Sequence, residues 1–328
     1  MPRQFPRRRS LHAIGLAALL AAAAPMSVFG QDYPSKPVTI VVPFPPGGGT
    51  DVVFRSLTAR LQAALGTPVI IDNRAGAGGT IGTAAAAKAP ADGYTLIGAT
   101  TTTIASAQAV YPKLGYDPVR DLIPISTLGT TPFVLVTAPG FPAKTVPELA
   151  NYARMNKGSL NYGSIGNGSA SHLVAELFKQ RTGIEMAHVP YRGAGPAQTA
   201  LMGGEIQVLF DNPTALVQQV KGNRMQAVAI TEPSPVFPDL PTFTSAGVKD
   251  FKAELWYGLM APANTPKPVL HRIHEALRKV LEDPSTKADL LSRGVTPALT
   301  TPEAFAKKIR ADIDLWGGIA KSVGAHVE

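Results

Sequence analysis

The chain has 328 residues, of which 45% are hydrophobic and 16% charged, with 31 glycines, 30 prolines and no cysteine. This length fits two domains of about 150 residues each, and the lack of cysteine excludes disulfides, thiolate metal sites and a cysteine nucleophile. The net charge of +8 does not indicate nucleic-acid binding, because four of the arginines lie in residues 1–30, which contain no acidic residue.

Residues 1–30 have the pattern of a secretory signal peptide. A basic start precedes the apolar segment 11–24, and Val28-Phe29-Gly30 is an acceptable cleavage site. The apolar segment is shorter than the roughly 20 residues that a membrane-spanning helix needs. We therefore expect an exported, periplasmic protein whose mature chain does not insert into the membrane.

Strand and helix patterns alternate in the first part of the mature chain. Short β-branched apolar runs predict strands at 38–42, 69–71 and 94–98, and helical spacing of apolar or alanine residues predicts helices at 50–65 and 79–88. Such a β-α-β-α-β order predicts parallel strands with helices on both faces of the sheet.

The same alternation restarts in the middle of the chain. The predicted strands there are 133–137, 160–162, 186–189, 206–210 and 225–230, and the predicted helices are one capped by Thr145, 170–181 and 195–202. The last third is mainly helical, with helices at 268–281, at 284–292 and after Thr301. The sequence therefore predicts the α/β class.

Two α/β units of similar size predict two lobes with a ligand cleft between them. We assign residues 31–130 plus 232–328 to lobe one and residues 131–231 to lobe two. Ligands of open α/β sheets bind beyond the carboxyl ends of the strands, so the loops that follow strands are the candidate sites.

The first such loop, residues 43–51, reads Pro-Phe-Pro-Pro-Gly-Gly-Gly-Thr-Asp and opens a helix. Its glycines allow backbone N–H groups to converge beside the positive end of a helix, a pattern that favours an anion site. The alternative is a tight turn that binds nothing. The loop lacks the Gly-Lys-Ser/Thr of a Walker A motif, and it has Val52 at the position where a dinucleotide-binding loop needs glycine. Neither nucleotide-binding motif is therefore present.

Two further loops follow strands in the same way. Residues 73–80 form a second glycine-rich loop, for which a flexible turn is an equal alternative. Residues 162–172 offer serine hydroxyls, an Asn amide and His172, which could equally be bonded only within its own helix start. Asp211 could accept a hydrogen bond from a ligand or cap the segment that follows it.

Neither a metal site nor a cofactor is predicted. His271 and His274 have helical spacing, but nothing nearby supplies a third ligand. The competing enzymatic hypothesis is an exported serine hydrolase that uses Ser169 or Ser164 with His172. The nucleophile-elbow pattern is missing there, so we predict no catalytic residue.

Several short motifs occur in order along nearly the whole mature chain, and together they resemble one family, the Bug-type periplasmic receptors of tripartite tricarboxylate transporters. The motifs are Tyr33-Pro34-Ser35-Lys36-Pro37-Val38, the loops at 43–51 and 73–79, Ala91-Asp92-Gly93-Tyr94, the segment 162–173, His188-Val189-Pro190-Tyr191-Arg192-Gly193 and Trp256-Tyr257-Gly258-Leu259.

The resemblance implies a type II periplasmic-binding fold that closes on a small organic acid and delivers it to an integral-membrane permease. It further implies that the first two glycine-rich loops hold a ligand carboxylate and that lobe two contacts the distal part. The implied ligand-binding residues are Phe44, Gly47, Gly48, Thr50, Asp51, Ala77, Gly78, Thr101, Ser164, Gly166, Ser169, His172 and Asp211. We expect a monomer that binds no nucleic acid.

Overall fold

The computed structural model describes Met1 and residues 33–325, so the predicted signal segment lies outside the described residues. The strands are β1 Val38–Val42, β2 Val69–Asn73, β3 Thr95–Thr100, β4 Leu122–Pro132, β5 Val134–Thr137, β6 Asn161–Ser164, β7 Ala187–Pro190, β8 Val208–Asp211, β9 Gln226–Ile230, β10 Glu254–Pro262 and β11 Thr296–Pro297. The helices are α1 Gly49–Leu65, α2 Thr80–Ala87, α3 Ala107–Val110, α4 Val146–Met155, α5 Ala170–Thr182, α6 Ala194–Met202, α7 Pro213–Lys221, α8 Lys267–Glu282, α9 Pro284–Ser292 and α10 Pro302–Ser322.

The first sheet has the strand order β11-β4-β10-β3-β1-β2. Strand β1 pairs in parallel with both β2 and β3, as the β-α-β-α-β pattern predicts. Helix α1 covers this sheet with residues such as Val53, Phe54 and Leu57, all fully buried. The strand order places the loops after β1 and β2 side by side, at the carboxyl ends of these two parallel strands.

Strands β4 and β10 were missed by the sequence analysis, and they make the sheet mixed. They pair with each other in antiparallel orientation, and β10 also runs antiparallel to β3. Both are buried along most of their length, so neither shows the alternation of apolar and polar residues that marks a half-exposed strand. In β4, Pro124 and Gly129 further weaken the strand pattern.

The second sheet has the order β7-β6-β8-β5-β9. Strand β6 is parallel to β7 and β8, whereas β5 is antiparallel to β8 and β9. The loops after β6, β7 and β8 therefore leave the sheet on the same side, at the carboxyl ends of these three strands. The fold is thus a mixed α/β structure with two sheets, in agreement with the predicted class.

The chain crosses between the two sheets twice, and the crossings are hydrogen-bonded to each other. A single residue, Phe133, separates the end of β4 from the start of β5. The Phe133 amide donates to Thr231 Oγ1 at 2.9 Å, and the Thr231 amide donates to the Phe133 carbonyl at 2.9 Å. A paired crossing of this kind is a suitable hinge, because few residues need to change their φ and ψ angles.

The connection from β9 to β10 packs mainly on the second sheet. Phe243 and Phe251 in this connection lie 4.4 Å apart between ring centroids and form one fully buried cluster with Phe178 of α5 and Phe210 of β8. The sequence analysis placed this connection in lobe one. We propose instead that it belongs to lobe two, since its largest apolar side chains are part of the core there.

Across residues 33–325, no helix combines the length and apolarity needed to cross a bilayer.

Candidate functional site

Two cavities lie in the cleft between the sheets. The inner cavity has a volume of about 90 Å³ and the outer about 620 Å³. Phe44 and Pro45 from the first loop and Ile165 from the third loop line both cavities, so these three apolar residues separate one from the other. The predicted loops therefore do meet across the cleft.

The start of helix α1 forms one wall of the inner cavity. Gly48 is the N-cap residue and has no side chain to cap the helix. The Val52 amide donates to the Gly48 carbonyl, whereas the amides of Gly49 and Thr50 have no acceptor among the described residues. Gly49 and Thr50 are buried and line the cavity. Two donors at the positive end of a 17-residue helix are suited to an anion.

Asp51 fixes the shape of the first loop rather than facing either cavity. Its carboxylate accepts from the Gly47 amide at 2.9 Å, from Arg55 Nε at 2.8 Å and from Asn73 Nδ2 at 2.9 Å. Burial alone would raise the pKa of Asp51, but the bonds from Arg55, Gly47 and Asn73 outweigh it and lower this pKa. Both Gly47 and Asp51 thus already have partners within the loop.

The second glycine-rich loop opens towards the outer cavity. Ala77 and Gly78 line this cavity, and their amides have no acceptor among the described residues. Ala77 has a φ of 45°, a value that is unfavourable for a residue with a Cβ, so the surrounding structure must hold it there. The loop thus presents two donors to the cleft at the cost of local backbone strain.

Asp211 is the one ionisable residue among the described residues that line the inner cavity. It is 2% exposed. Its Oδ1 accepts from the backbone amide of Asn212 at 2.8 Å and from Asn212 Nδ2 at 2.9 Å, whereas its Oδ2 is buried without a partner among the described residues. Burial raises the pKa of Asp211 to about 6, although the Asn212 backbone amide and the nearby Gln198 side chain lower it in part.

Ser164 and His172 line neither cavity and have other partners. Ser164 Oγ bonds His188 Nε2 at 2.7 Å, and His172 Nδ1 accepts from the Gly168 amide at 3.2 Å. The rings of His172 and His188 stack at 4.0 Å. Burial lowers both pKa values, that of His188 to about 4, so both imidazoles are neutral at pH 7. This cluster fixes the third loop.

Ser169 is the N-cap of helix α5, and its Oγ accepts from the His172 backbone amide. It is fully buried. His172 Nδ1 accepts from the Gly168 amide, and among the described residues no hydrogen bond joins the His172 ring to Ser169 Oγ. The arrangement predicted for a serine hydrolase is therefore not formed.

The remaining predicted residues are divided between the two cavities and the interior. Phe44, Gly48, Thr50 and Asp211 line the inner cavity, and Phe44, Ala77, Gly78 and Gly166 line the outer one. Thr101 is fully buried and accepts from the Trp256 amide at 3.0 Å, so it positions β10 and lines neither cavity.

The lobes are in direct contact beside the cleft. Tyr111 Oη donates to the Asn167 carbonyl at 2.8 Å, Ser106 Oγ donates to the Gly168 carbonyl at 3.1 Å, and the Ala170 amide donates to Thr102 Oγ1 at 3.2 Å. All three bonds join residues 102–111 of the first unit to the third loop. These bonds hold the two units together beside the cleft.

The sequence analysis missed the lobe-two wall of the inner cavity. Ala194, Gly195 and Pro196 line it at the start of helix α6. The sequence pattern at this position resembles that of the first loop, because in both places a glycine follows a strand and opens a helix. At Gly193 a Cβ would lie 2.8 Å from Pro45 Cγ across the cleft, so a side chain there would push the lobes apart.

Comparison with known proteins gives the family. The model for the tripartite tricarboxylate transporter family receptor matches residues 53–325. The chain belongs to this family. Protein BugT of Bordetella pertussis is 35% identical to this receptor over 324 residues, which are 98% of this chain and 99% of BugT.

Solved receptors resemble this one closely. The periplasmic binding protein BugD superposes with a TM-score of 0.86 at 33% identity, covering 90% of this receptor and 100% of BugD. An R. palustris protein solved with adipate gives a TM-score of 0.88 at 34% identity, covering 90% and 100% of the two chains. MatC from Rhodopseudomonas palustris, with bound malate, gives a TM-score of 0.82 at 33% identity. The match covers 88% of this receptor and 99% of MatC.

Proposed function

We propose that this receptor captures a small carboxylate between its two lobes in the periplasm and delivers it to an integral-membrane permease. The observation that carries the proposal is the pair of unpartnered amides at Gly49 and Thr50, two residues that line a cavity between the lobes. Related receptors solved with adipate and malate support a carboxylate as the ligand.

The site would bind the anion without an ion pair. The described lining of the inner cavity contains no lysine or arginine, and Arg192 is the one cationic residue that lines the outer cavity. Backbone donors that are held in place cost little reorganisation on binding, and they attract an anion more weakly than a buried cation does. Such a site suits a receptor that must release its ligand again.

Closure would add the remaining affinity by excluding water. The bonds of Tyr111, Ser106 and Thr102 to the third loop form only when the lobes meet. A ligand that contacts both walls of the cleft therefore favours the closed form, because it gains contacts there that the open form lacks. A permease could distinguish loaded from empty receptor by this difference.

We also propose that the protein has no enzymatic role. Ser164 bonds His188 of β7, His172 accepts from the Gly168 amide, and Asp211 is the one ionisable residue in the described lining of the inner cavity. We therefore expect no turnover of ester substrates by the purified protein.

A thermal-shift screen tests the function directly. A ligand at about 100 times its Kd stabilises the folded state by about 2.7 kcal/mol, so a bound carboxylate should raise the melting temperature by several degrees. The matched control for each acid is its neutral amide, which should give no shift because the amide carries no negative charge. If none of the mono-, di- and tricarboxylates raised the melting temperature, the proposed function would be wrong.

A further inference from the structure

One peptide unit of the third loop, between Asn167 and Gly168, is held at both of its polar groups. Its carbonyl, that of Asn167, accepts from Tyr111 Oη of the first unit at 2.8 Å. Its N–H group, that of Gly168, donates to Nδ1 of His172 at 3.2 Å. A peptide unit is planar, so its carbonyl and its N–H group turn together. The bond from Tyr111 across the cleft therefore depends on the state of the His172 ring.

This peptide unit is tightly packed where the two units meet. A Cβ on Gly168 would lie 2.9 Å from Tyr111 Cε2 and 3.1 Å from Val110 Cγ1. A Cβ on Gly78, in the second glycine-rich loop, would lie 3.1 Å from the Asn167 carbonyl oxygen. Gly168 has a φ of 70°, which a glycine adopts without strain. The peptide has little room to turn while the units are in contact, so its two bonds are kept or lost together.

A proton on His172 Nδ1 is incompatible with the Gly168 bond. Because Nδ1 accepts here, the neutral ring carries its proton on Nε2. An imidazolium ring has two donors and no acceptor, so protonation would set two N–H groups against each other. His172 also lies in the first turn of α5, where the positive end of the helix disfavours a cation. The ring must release the Gly168 amide before it takes up a proton.

Among the described residues, four titratable groups stack with the His172 ring or act on its charge. His188 of β7 and Tyr162 of β6 stack with it, at 4.0 and 6.4 Å between ring centroids. Glu176 and Lys179 of α5 form an ion pair at 2.8 Å, and the Glu176 carboxylate also accepts from the Tyr162 hydroxyl. The negative charge of Glu176 is therefore already offset by Lys179 and does little to hold a proton on the imidazoles.

Both imidazoles are uncharged at pH 7. Burial lowers the pKa of His172 below its ordinary value of 6.5, with Glu176 opposing this effect and Lys179 adding to it. Burial and the adjacent His172 lower the pKa of His188 to about 4. Any form in which His172 is free of Gly168 binds the proton better, so it gains on the native form as the pH falls below about 6.5.

We infer that His172 makes the contact between the two units sensitive to pH. Uptake of a proton at Nδ1 releases the Gly168 amide, the peptide turns, and the Asn167 carbonyl loses its bond from Tyr111. The open form then gains population, and a bound carboxylate is released in mild acid. His172 lines neither cavity, so it is a positioning residue that acts through the third loop. Only the release step rests on the proposed function.

Nuclear magnetic resonance can follow this one peptide in the ligand-free protein. Asn167 is the only asparagine in the chain that is followed by glycine, so carbonyl-labelled asparagine combined with nitrogen-labelled glycine selects the Gly168 amide. We expect its signal to shift between about pH 7.5 and pH 4.5, with the same midpoint as the ring signals of His172. A Gly168 signal that stays constant while His172 takes up a proton would overturn the inference, as would a ring that stays neutral throughout.

The variant His172→Asn removes the titrating group and keeps an acceptor. The asparagine oxygen can accept from the Gly168 amide in place of Nδ1, but it takes up no proton in this range. We expect the Gly168 signal of this variant to be constant with pH. His271→Asn, at an exposed histidine of α8, is the matched control and should keep the wild-type midpoint. An unchanged midpoint in His172→Asn would contradict the role of His172.

Calorimetric titration with malate tests the release step. Between about pH 7.5 and pH 5, the affinity of the wild type should fall at least about fivefold more than that of His172→Asn. Both proteins meet the same acid at each pH, so the ionisation of malate cancels in this comparison. An equal fall in the two proteins would show that the proton on His172 does not release the acid.

The inference and the proposed function can fail separately. If malate and a wider panel of carboxylates bind at neither pH, the proposed function is wrong, and the Gly168 signal still decides whether His172 controls the peptide. If malate binds and the Gly168 signal does not follow His172, the receptor function stands and the inference is wrong. The wild-type titration needs no variant, so it decides the matter even if His172→Asn does not fold.

Discussion

The variant Gly49→Ala should bind its carboxylate about 10- to 100-fold more weakly than the wild type while remaining folded. A Cβ at this position would lie 2.6 Å from Asn212 Oδ1 and 2.9 Å from Asn212 Nδ2, across the cleft. Overpacking of this kind costs about 1–3 kcal/mol, and 1.4 kcal/mol corresponds to a tenfold change in affinity.

Asn212 cannot move aside without losing its own bonds. Its Oδ1 accepts from the Ala215 amide as the N-cap of α7, and its Nδ2 donates to Asp211. The clash therefore raises the free energy of the closed form, so a larger fraction of the variant would be in the open form. Calorimetric titration with the best ligand of the thermal-shift screen measures the effect.

Gly318→Ala is the control for this variant. Gly318 lies within α10, and a Cβ there meets nothing within 4 Å, so affinity should not change and stability should rise by up to about 1 kcal/mol. An affinity of Gly49→Ala within twofold of the wild type would show that closure does not bring Gly49 against Asn212.

The variant Phe243→Ala should lower the free energy of unfolding by about 3–5 kcal/mol. Phe243 is fully buried, and its ring centroid lies 4.4 Å from that of Phe251, 5.7 Å from Phe178 and 5.9 Å from Phe210. Removing it leaves a cavity among the rings of Phe178 in α5, Phe210 in β8 and Phe251 in the same connection. Urea unfolding followed by circular dichroism measures the change.

The loss should fall on lobe two, because the cluster belongs to the core of that lobe. If the lobes unfold in separate transitions, only one transition should shift. Met155→Ala, at a methionine that is 77% exposed, should change stability by less than about 0.5 kcal/mol. A loss below about 1 kcal/mol for Phe243→Ala would contradict the assignment of the β9–β10 connection to this core.

Most of the strands, and the loops that line the cleft, were predictable because each has a recognisable local sequence pattern. Strand β1 is a short β-branched run, and the loop that follows it combines three glycines with a helix start. The carboxyl ends of β1 and β2 lie side by side, so both glycine-rich loops reach the same cleft. Local pattern and sheet topology together were enough for this part.

The roles of individual side chains were not predictable in the same way. His172 follows a serine-rich loop and looked available to a ligand, but its ring is stacked on His188, which is 16 residues away in the chain. Asp51 looked equally available and is taken by Gly47, Arg55 and Asn73. Such partners depend on tertiary contacts that no local pattern specifies.

The second wall of the inner cavity was missed for a different reason. A glycine follows a strand and opens a helix at the start of α6, as in the first loop, but the sequence analysis named no ligand-binding residue there. Asp211 lines the inner cavity, and its role in ligand binding stays a prediction. Its unpartnered oxygen, however, follows from the burial of the whole inner cavity and could not be read from the sequence.

A crystal structure of the purified protein with malate tests the central claim most directly. We predict one malate between the lobes, with carboxylate oxygens within about 3 Å of the amide nitrogens of Gly49 and Thr50, the usual N–H···O separation. Malate bound only outside the cleft, or both amides bonded to other protein groups while malate is present, would contradict the account.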